Sequence, residues 1–511
     1  MLPEDLSLYE PLKDRPAKCL GELDMLKMSQ EIRKKPNWFE KVHDKEIAAK
    51  WKAEGEGQGV LPEGADYVIE EVKYFSTLRE GSIEPGPVDG TWIADKIIPE
   101  ETVKTFKSLV ANGLENVSSE QKDFHPGSDD LLLDLVHPSL FCYVEDESNL
   151  VNKKTVDVKF LPKSSPSPPK KVSTWYTSAI PPSDKYRWMP AEISFDTNGS
   201  VSFDSYINNL HPIKHKELYS TIGEIFKKFV PLFNKTLTDV ANDRFCYRID
   251  LSRWPQYDPD INFDYDAYEG REDVDVDEEH AKWEKAREIL PLPIQPFKKP
   301  AAPAKVIDLN GEKLQVIVKL ANIELTPEKP RYGGGAWHIE GIAEERIVAT
   351  GIYYYEVTNI TESKLHFRQS IQDPLYDQND DEAVFKIYGM KNEEAMNQIL
   401  GNIVAREDLC IVFPNTYQHR VAPFELVDKS KPGYRKILVF FLVDPTTKII
   451  STNNVLPQQP DWDDVALDKP RNKMTREQAE KFREKLMFER KYARDTFEKE
   501  FYEREFSLCE H

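Results

Sequence analysis

The strongest indication of the fold lies in the stretch Tyr332-Gly333-Gly334-Gly335-Ala336-Trp337-His338-Ile339-Glu340-Gly341 of this 511-residue chain. It joins a glycine-rich turn to a histidine and a glutamate two positions apart, and the apolar run Ile347 to Val357 follows it. Residues two apart on a strand point to the same side of the sheet, so both side chains reach one point. The stretch therefore predicts a pair of metal ligands next to a strand.

The spacing of this pair is not specific by itself. With 10 histidines and 89 acidic residues in the chain, chance gives about two His-x-Asp/Glu pairs, which is the number found. The other pair, His215 and Glu217, lies in a stretch predicted to be helical, where residues two apart diverge by about 200° around the axis. We interpret it as a solvated helix start, which leaves His338 and Glu340 as the candidate ligands.

A further histidine completes the candidate set. The segment Asp408 to Val421 contains an apolar strand that ends at Pro414-Asn415, and His419 follows where strand pairing resumes. Two imidazoles and one carboxylate on one face of an iron ion leave three positions open for substrate and oxygen. The sequence therefore predicts His338, Glu340 and His419 as metal ligands.

An arginine follows this set at a position that suits an acidic ligand. Arg435 comes sixteen positions after His419, at the entrance to the apolar strand Ile437 to Val443. A guanidinium group grips a carboxylate in a two-point fork. Arg435 is therefore the candidate residue for binding a dicarboxylate co-substrate.

The pattern of strands and helices predicts the α+β class. Short runs rich in Val, Ile, Phe and Tyr begin near residue 305 and predict an antiparallel sandwich or barrel: Val316 to Leu325, Ile347 to Val357, Ala383 to Tyr388, Leu409 to Phe413 and Lys436 to Val443. Helices are predicted at Leu20 to Lys52, Glu100 to Ala111, Lys214 to Val240 and Thr475 to Arg504. The last of these opens with a capping-box pattern, Thr475-x-x-Gln478.

Composition divides the chain into six parts. These are a mixed N-terminal region (1–162), a Pro/Ser linker (163–173), a helix-containing region packing on the core (174–256), an acidic and Pro-rich insertion (257–304), the metal-binding core (305–460) and a C-terminal helical extension (461–511). We interpret the insertion as a solvated surface segment. The last helix is expected to pack on the body of the protein, with a dimer contact as the alternative.

Charge and cysteine usage exclude several classes. A net charge of −21 repels phosphate backbones and anionic lipid, so we expect no nucleic-acid partner and no membrane partner. The longest purely apolar run, Ile437 to Val443, is too short to cross a bilayer, and the start of the chain has no secretory pattern. Five dispersed cysteines fit reduced thiols, so we expect a cytoplasmic protein, with the nucleus as the other compartment.

Two more groups of residues carry predictions. Trp337 and the run Tyr353-Tyr354-Tyr355 are candidates to line the pocket, with core packing expected for at least half of them. Asn208, Asn209 and His211 are predicted to serve a turn or a helix cap.

Much of the chain resembles a largely fungal family, the domain of unknown function 4246 family. The similar stretches are His125-Pro126-Gly127, Leu135 to Leu140, Ser205 to Pro212, Gly335 to Gly341, Val348 to Tyr354, Arg435 to Leu438, Phe441 to Pro445 and Asn454 to Gln459. The C-terminal third also looks like the double-stranded β-helix (jelly-roll) core of the 2-oxoglutarate/Fe(II)-dependent dioxygenases. The resemblance thus implies a jelly-roll core, preceded by a large, mainly helical N-terminal region and followed by a long helix.

The resemblance to the dioxygenases implies an oxygenase in which His338, Glu340 and His419 bind Fe(II). Arg435 would bind the distal carboxylate of 2-oxoglutarate. Two departures from the relatives are visible: the carboxylate ligand is Glu where Asp is more common, and Lys436-Ile437 follows the arginine in place of an Arg-x-Ser pattern. Two alternatives stay open: a non-redox, cupin-like metal enzyme, and a catalytically silent interaction scaffold. A protein side chain and a small molecule both fit as substrate.

Overall fold

The computed structural model describes residues 8–9, 14–148, 150, 185–245, 247–251, 263–269, 271, 273–286, 289, 292–376, 380–465, 473–497 and 501–508. Within these ranges the side chains of residues 285 and 492–497 are not described. The predicted linker at 163–173 lies outside the described residues, as do parts of the acidic insertion. Every helix within the described ranges is too short or too polar to span a bilayer.

The helices of the described chain lie mostly before and after the strand-rich part. They are α1 (Leu20–Arg33), α2 (Trp38–Lys41), α3 (Lys45–Glu56), α4 (Pro62–Thr77), α5 (Glu100–Val110), α6 (Lys216–Ala241), α7 (Val276–Ala286), α8 (Asp381–Tyr388) and α9 (Arg476–Phe497). Local sequence explains several starts. The Asp44 carboxylate accepts hydrogen bonds from Glu46 N and Ile47 N at the start of α3.

The strands are short in the first half of the chain and long in the second. They are β1 (Ile83–Pro85), β2 (Trp92–Asp95), β3 (Leu132–Val136), β4 (Tyr143–Val144), β5 (Tyr186–Arg187), β6 (Ala191–Phe195), β7 (Val201–Phe203), β8 (Leu314–Leu325), β9 (Arg331–Tyr332), β10 (Ile347–Thr358), β11 (Lys364–Ser370), β12 (Asn397–Val404), β13 (Leu409–Pro414), β14 (Gln418–Val421), β15 (Phe424–Glu425) and β16 (Gly433–Val443).

Two antiparallel sheets contain most of these strands, and the pairs β4-β5 and β9-β15 form two further sheets of two strands each. The main sheet has the order β1-β2-β13-β10-β16-β8-β6-β7, and β3 also pairs with β8. The smaller sheet has the order β12-β11-β14. Together with the helices, this arrangement confirms the predicted α+β class and the antiparallel pairing.

One face of the main sheet packs on α6, and the fit depends on a glycine. A Cβ at Gly351 in β10 would lie 2.8 Å from the Phe229 ring and 2.9 Å from the Phe233 ring, closer than Cβ contacts allow. Both rings are fully buried in α6. Glycine at this position therefore lets the helix lie directly on the sheet.

The other face of the main sheet is its inner face, which packs against the smaller sheet. Ile411, Phe413 and Phe441 of the main sheet share one buried cluster with Leu365 and Phe367 of β11. The Phe367 and Phe413 rings are 5.2 Å apart. The candidate ligands lie against this apolar layer between the two sheets.

One predicted strand was wrong. The run Ala383 to Tyr388 lies in helix α8, because Asp380 caps its first turn through a hydrogen bond from Ala383 N, and Gly389, with φ of +70°, ends it. An apolar run of six residues does not distinguish a strand from a short helix by its periodicity.

The last predicted helix is confirmed in its start and in its packing. Thr475 N donates to Gln478 Oε1 at 2.9 Å, and Gln478 N donates to Thr475 Oγ1 at 3.2 Å, which completes the capping box. Ala479 and Leu486 of α9 are buried in the cluster between the two sheets. The helix therefore packs on the body of the protein.

Candidate metal centre

A β-bridge brings the two candidate histidines side by side. His338 N donates to His419 O at 3.2 Å, and His419 N donates to His338 O at 3.0 Å. The glycine-rich turn makes this approach possible, because a Cβ at Gly334, whose φ is +93°, would lie 3.1 Å from Val421 O. The turn predicted from the sequence thus delivers His338 to the edge of β14.

The three candidate ligands converge on one point. His338, Glu340 and His419 each offer a ligand atom, and these atoms lie within 4.8 Å of one another. Glu340 Oε1 is 3.6 Å from His338 Nε2 and 3.3 Å from His419 Nε2. The His419 side chain is 4% exposed and the His338 side chain 36% exposed, so the cluster is closed on one side and open on the other.

Neighbouring groups fix the direction of two of these ligands. Asn415 Oδ1 accepts from Glu340 N, and Asn415 Nδ2 donates to Glu340 O, both at 2.9 Å. His338 Nδ1 lies 2.9 Å from Ala336 O, and since a carbonyl oxygen only accepts, Nδ1 carries the ring proton. Nε2 therefore faces Glu340 and is the nitrogen through which His338 would bind a metal ion, after it releases any proton that it shares with Glu340.

Burial and mutual contact set the charges within the cluster. Burial raises the pKa of Glu340, but hydrogen bonds from His338 and His419 outweigh it and hold the pKa well below its usual range. Burial, together with the charge of His338, lowers the pKa of His419. Glu340 is therefore an anion near neutral pH and His419 a neutral imidazole, which are the forms that bind metal ions.

A buried cation lies on the inner face of the main sheet. Arg435 in β16 is 3% exposed, its Nη2 donates to Tyr354 Oη at 3.4 Å, and its guanidinium carbon lies 4.9 Å from the Tyr354 ring centre. Arg435 makes no ion pair with any residue that the structure describes, and its Nε has no hydrogen-bond partner there. A buried guanidinium without a carboxylate is costly, so this position suits an acidic ligand.

The three tyrosines predicted to line the pocket point to different faces of the sheet, because successive side chains of a strand alternate between its two faces. Tyr353 and Tyr355 lie in the core under α5 and α6, and Tyr355 Oη donates to Asn322 Oδ1 at 2.9 Å. Tyr354 points to the inner face beside Arg435. Trp337 packs between two guanidinium groups, at 4.8 and 4.5 Å from its ring: Arg368 and Arg420.

The other predicted site residues have structural roles. Asn209, with φ of +70°, donates from Nδ2 to His137 O at 2.8 Å and to Leu140 O at 2.6 Å. His211 Nδ1 accepts from Ile213 N, which is the turn role predicted for it, whereas the Asn208 and Asn209 side chains bind backbone carbonyls of residues 137–141. His215 precedes the first turn of α6, so the second His-x-Glu pair is a helix start.

A second cluster of ligand-type side chains was missed by the sequence interpretation. Ligand atoms of His125, Asp134 and His137 lie within 4.8 Å of one another. Asp134 and His137 are buried, and His125 is partly exposed. The signal in the sequence was Asp134 itself, an acidic residue within the otherwise apolar run Leu131 to Val136, where a strand was to be expected.

Comparisons with solved structures give remote likenesses. A crystal structure of IDO from Bacillus thuringiensis is 13% identical, with a TM-score of 0.18, over 27% of this chain and 48% of that one. A bsmA homologue from Methylobium petroleophilum PM1 is 8% identical, with a TM-score of 0.17, over 26% of this chain and 42% of that one. The Fe(II)/(alpha)ketoglutarate-dependent dioxygenase TqaL is 11% identical, with a TM-score of 0.23, over 69% of this chain and 91% of that one.

None of these likenesses carries an argument at such TM-scores, and the chain spans about half the length, or less, of the first two. No curated protein matches the chain. A family described as "Protein of unknown function (DUF4246)" matches residues 62–466, and its N-terminal domain of unknown function matches residues 4–54. Because these matches cover most of the sequence, the chain belongs to the DUF4246 family.

Proposed function

We propose that this protein is an Fe(II)- and 2-oxoglutarate-dependent oxygenase of the hydroxylase type, with His338, Glu340 and His419 as the iron ligands. One observation carries the proposal. The three ligand atoms converge within 4.8 Å, and a buried arginine without an ion-pair partner among the described residues, Arg435, lies on the inner face of the adjoining sheet. The convergence suits a metal ion, and the arginine suits an acidic co-substrate.

The ligand chemistry fits iron. Two imidazole nitrogens and one carboxylate oxygen with open positions suit Fe(II), whereas Mg²⁺ and Ca²⁺ prefer all-oxygen sites. Glu340 is ionised, and His338 directs Nε2 toward it because Nδ1 is bound to Ala336 O. The half-open side of the cluster at His338 leaves room for ligands that the protein does not supply.

The order of the strands supports a jelly-roll interpretation of residues 305–460. The long strands β8, β16, β10 and β13 are adjacent in the main sheet, and β12, β11 and β14 form the sheet that faces them. Two facing antiparallel sheets with this alternation of sequence-distant strands are what a jelly-roll requires. In this interpretation the ligands lie at one end of the space between the sheets.

Each protein group has a definable task in such a reaction. When bound, Fe(II) together with 2-oxoglutarate and O₂ supplies the oxidation of a substrate C–H bond. Arg435 neutralises the distal carboxylate of 2-oxoglutarate, and the Tyr354 ring and hydroxyl hold its guanidinium in place. Asn415 fixes the backbone of Glu340, and Phe413, 4.8 Å from the His419 ring, excludes water from that side.

The substrate is proposed only as a class of molecule, and the partner only as a second copy of the chain. A small molecule or an exposed protein side chain reaches the site from the open side of His338. A dimer through α9 stays a prediction, because Ala479 and Leu486 already pack on the body while Phe488 is 72% exposed.

An anaerobic titration tests the proposal. Adding Fe(II) and 2-oxoglutarate together to the protein should give a visible metal-to-ligand charge-transfer band that neither gives alone. His419→Ala should abolish the band and Arg435→Ala should weaken it, whereas His215→Ala, which removes the other His-x-Glu pair, should keep it. An iron-loaded, folded protein without the band would exclude 2-oxoglutarate and favour the cupin-like enzyme; a protein that holds no metal would favour the scaffold.

A further inference from the structure

We infer that His125, Asp134 and His137 form a second metal-binding site, which takes a divalent transition-metal ion of the Zn(II) type. This inference does not rest on the proposed oxygenase function. It concerns a different set of residues, which come from the N-terminal region and from strand β3.

The geometry of the cluster is that of a compact donor set. One ligand atom from each of the three side chains lies within 4.8 Å of the others. The His125 and His137 ring centres are 5.1 Å apart, and His125 Nδ1 lies 2.8 Å from Asp134 Oδ2. Two imidazoles and one carboxylate are a common protein donor set for zinc at 2.0–2.2 Å.

The carboxylate points to a missing cation. The Asp134 side chain is fully buried, and its Oδ1 has no hydrogen-bond partner among the described residues. A buried carboxylate oxygen without a partner is costly, and such groups in native proteins usually have a hydrogen bond, a water molecule or an ion. His125 satisfies only Oδ2. A metal ion between Oδ1 and the imidazoles would satisfy the other oxygen.

The cationic side chains around the cluster make no bond to Asp134 Oδ1. Lys319 lies on the inner face of β8, and its charge lowers the pKa of His137 and of Asp134. Nevertheless, Lys319 makes no ion pair or hydrogen bond with the residues that the structure describes. Arg483 is already bound to Asp123 at 2.7 and 2.9 Å.

The backbone holds the three ligands before any metal arrives. His125 N donates to Leu132 O at 2.8 Å, so His125 and Asp134 lie on the two arms of a tight hairpin. Asn209 Nδ2 donates to His137 O at 2.8 Å and ties the third ligand to the turn that precedes α6. A site on hydrogen-bonded arms loses little conformational entropy when it binds its ion.

Binding of a metal ion by His137 would change one hydrogen bond. Burial lowers the pKa of His137 to about 3, so the ring is neutral near pH 7. Its Nδ1 accepts from Ser139 N at 3.2 Å, which places the ring proton on Nε2. When Nε2 binds the metal, that proton moves to Nδ1 and the contact with Ser139 N opens. No redox step or co-reactant is involved.

Metal stoichiometry of the full chain tests the inference. Chelator-stripped, tag-free protein is titrated with Zn(II), and in parallel with Co(II), and the bound metal is counted by mass spectrometry after gel filtration. The wild type should hold two ions per chain. Asp134→Asn, which keeps the size and removes the charge, should hold one, and so should His419→Ala; the double variant should hold none.

A second variant protects the test against loss of folding. His125→Gln changes the ligand that is partly exposed, and it should lower Zn(II) affinity at this site at least about tenfold, since even supporting residues of metal sites contribute that much. Circular dichroism checks that each variant is folded. Two ions in folded Asp134→Asn and His125→Gln, or one ion in the wild type that only His419→Ala removes, would overturn the inference.

The same count separates this inference from the proposed function. If the cluster at His338 binds no metal, His419→Ala leaves the count unchanged while Asp134→Asn lowers it. If only the second cluster fails, Asp134→Asn has no effect and His419→Ala removes the single ion. Each failure therefore has its own signature.

Discussion

The two clusters of histidine and carboxylate differ in what surrounds them more than in what they contain. The cluster of Glu340 and its two histidines is exposed on the side of His338, and Arg435, on the inner face of the main sheet, has no ion-pair partner in the described chain. Asp134 is fully buried, and the arginine beside its cluster, Arg483, is bound to Asp123. The same ligand types thus make one site suited to exchangeable acidic ligands and one suited to a permanently held ion.

The clusters also differ in how the chain assembles them. His125 and His137 are 12 residues apart, and Asp134 lies between them. His338 and His419 are 81 residues apart and meet through a β-bridge. The first pair needs a local hairpin, whereas the second pair needs most of the two sheets to be in place.

The largest effect is expected from replacing Arg435, and the replacement of Arg483 is the matched comparison. Arg435→Met should lower 2-oxoglutarate affinity by about 100-fold, since loss of one partner of a buried charge pair costs about 2–5 kcal/mol. It should leave the ligand-free protein as stable as before or more stable, because a buried cation without an ion pair is removed. The charge-transfer titration and thermal unfolding measure the two quantities.

Arg483→Met is the matched control for that comparison. It leaves Asp123 with the half-exposed Arg476, at 3.2 Å, as its remaining ion-pair partner among the described residues, so it should lower the melting temperature and leave 2-oxoglutarate affinity unchanged. If both variants weaken 2-oxoglutarate equally, the distinction between an open and a closed cluster is wrong.

A smaller effect is expected from the two asparagines that hold the clusters. Asn415→Ala releases the backbone of Glu340 and should weaken Fe(II) binding by about 10–100-fold. Asn209→Gly releases His137 O while it tolerates the φ of +70°, and it should weaken Zn(II) binding only at the second cluster. Isothermal titration with each ion checks both, and an effect of either variant on the other cluster would show that the two sites are coupled.

A third effect is expected in the acid stability of the metal-free protein. The pKa of His137 falls from its ordinary value of 6.5 to about 3 on folding, because the ring is buried. Between pH 6.5 and 3 the unfolded chain therefore binds a proton that the folded chain does not. Stability conferred by the neutral ring is present above pH 6.5 and is lost as pH falls, by up to about 1.4 kcal/mol per pH unit.

His137→Gln should remove this part of the pH dependence. Urea unfolding of both proteins at pH 6.5 and 4.5 measures it. Equal losses of stability in wild type and variant would mean that the histidine is not neutral in the folded protein, which would weaken the contrast between the buried and the open cluster.

The first cluster could be predicted from the sequence, and the second could not. The glycine-rich turn, the alternation of a strand and the break at Pro414-Asn415 are local features, and together they pointed to His338, Glu340 and His419 before any fold was known. The sequence around the second cluster has no comparable local features. Its hairpin depends on the bond between His125 N and Leu132 O, and spacing alone does not reveal that bond.

Helix capping and the packing of the strands explain the remaining differences between the sequence and the structure. The run Ala383 to Tyr388 was predicted as a strand, but the caps Asp380 and Gly389 made it a helix. The sequence placed Arg435 at the entrance to an apolar strand, whereas its burial and the absence of an acidic partner among the described residues became visible only in the structure. Tyr354 points to the opposite face of the sheet from its two neighbours. What each face packs against became visible only in the structure.

The edges of the main sheet have a consequence for any attempt to study the metal-binding part alone. β2 (Trp92–Asp95) covers one side of β13, and β3 and β6 cover one side of β8. A fragment of residues 305–460 would lack all three covering strands and would present two apolar strands with unpaired backbone groups. Such open edges pair with other chains. The fragment should therefore aggregate, and solubility would return only when residues from the first half of the chain are supplied.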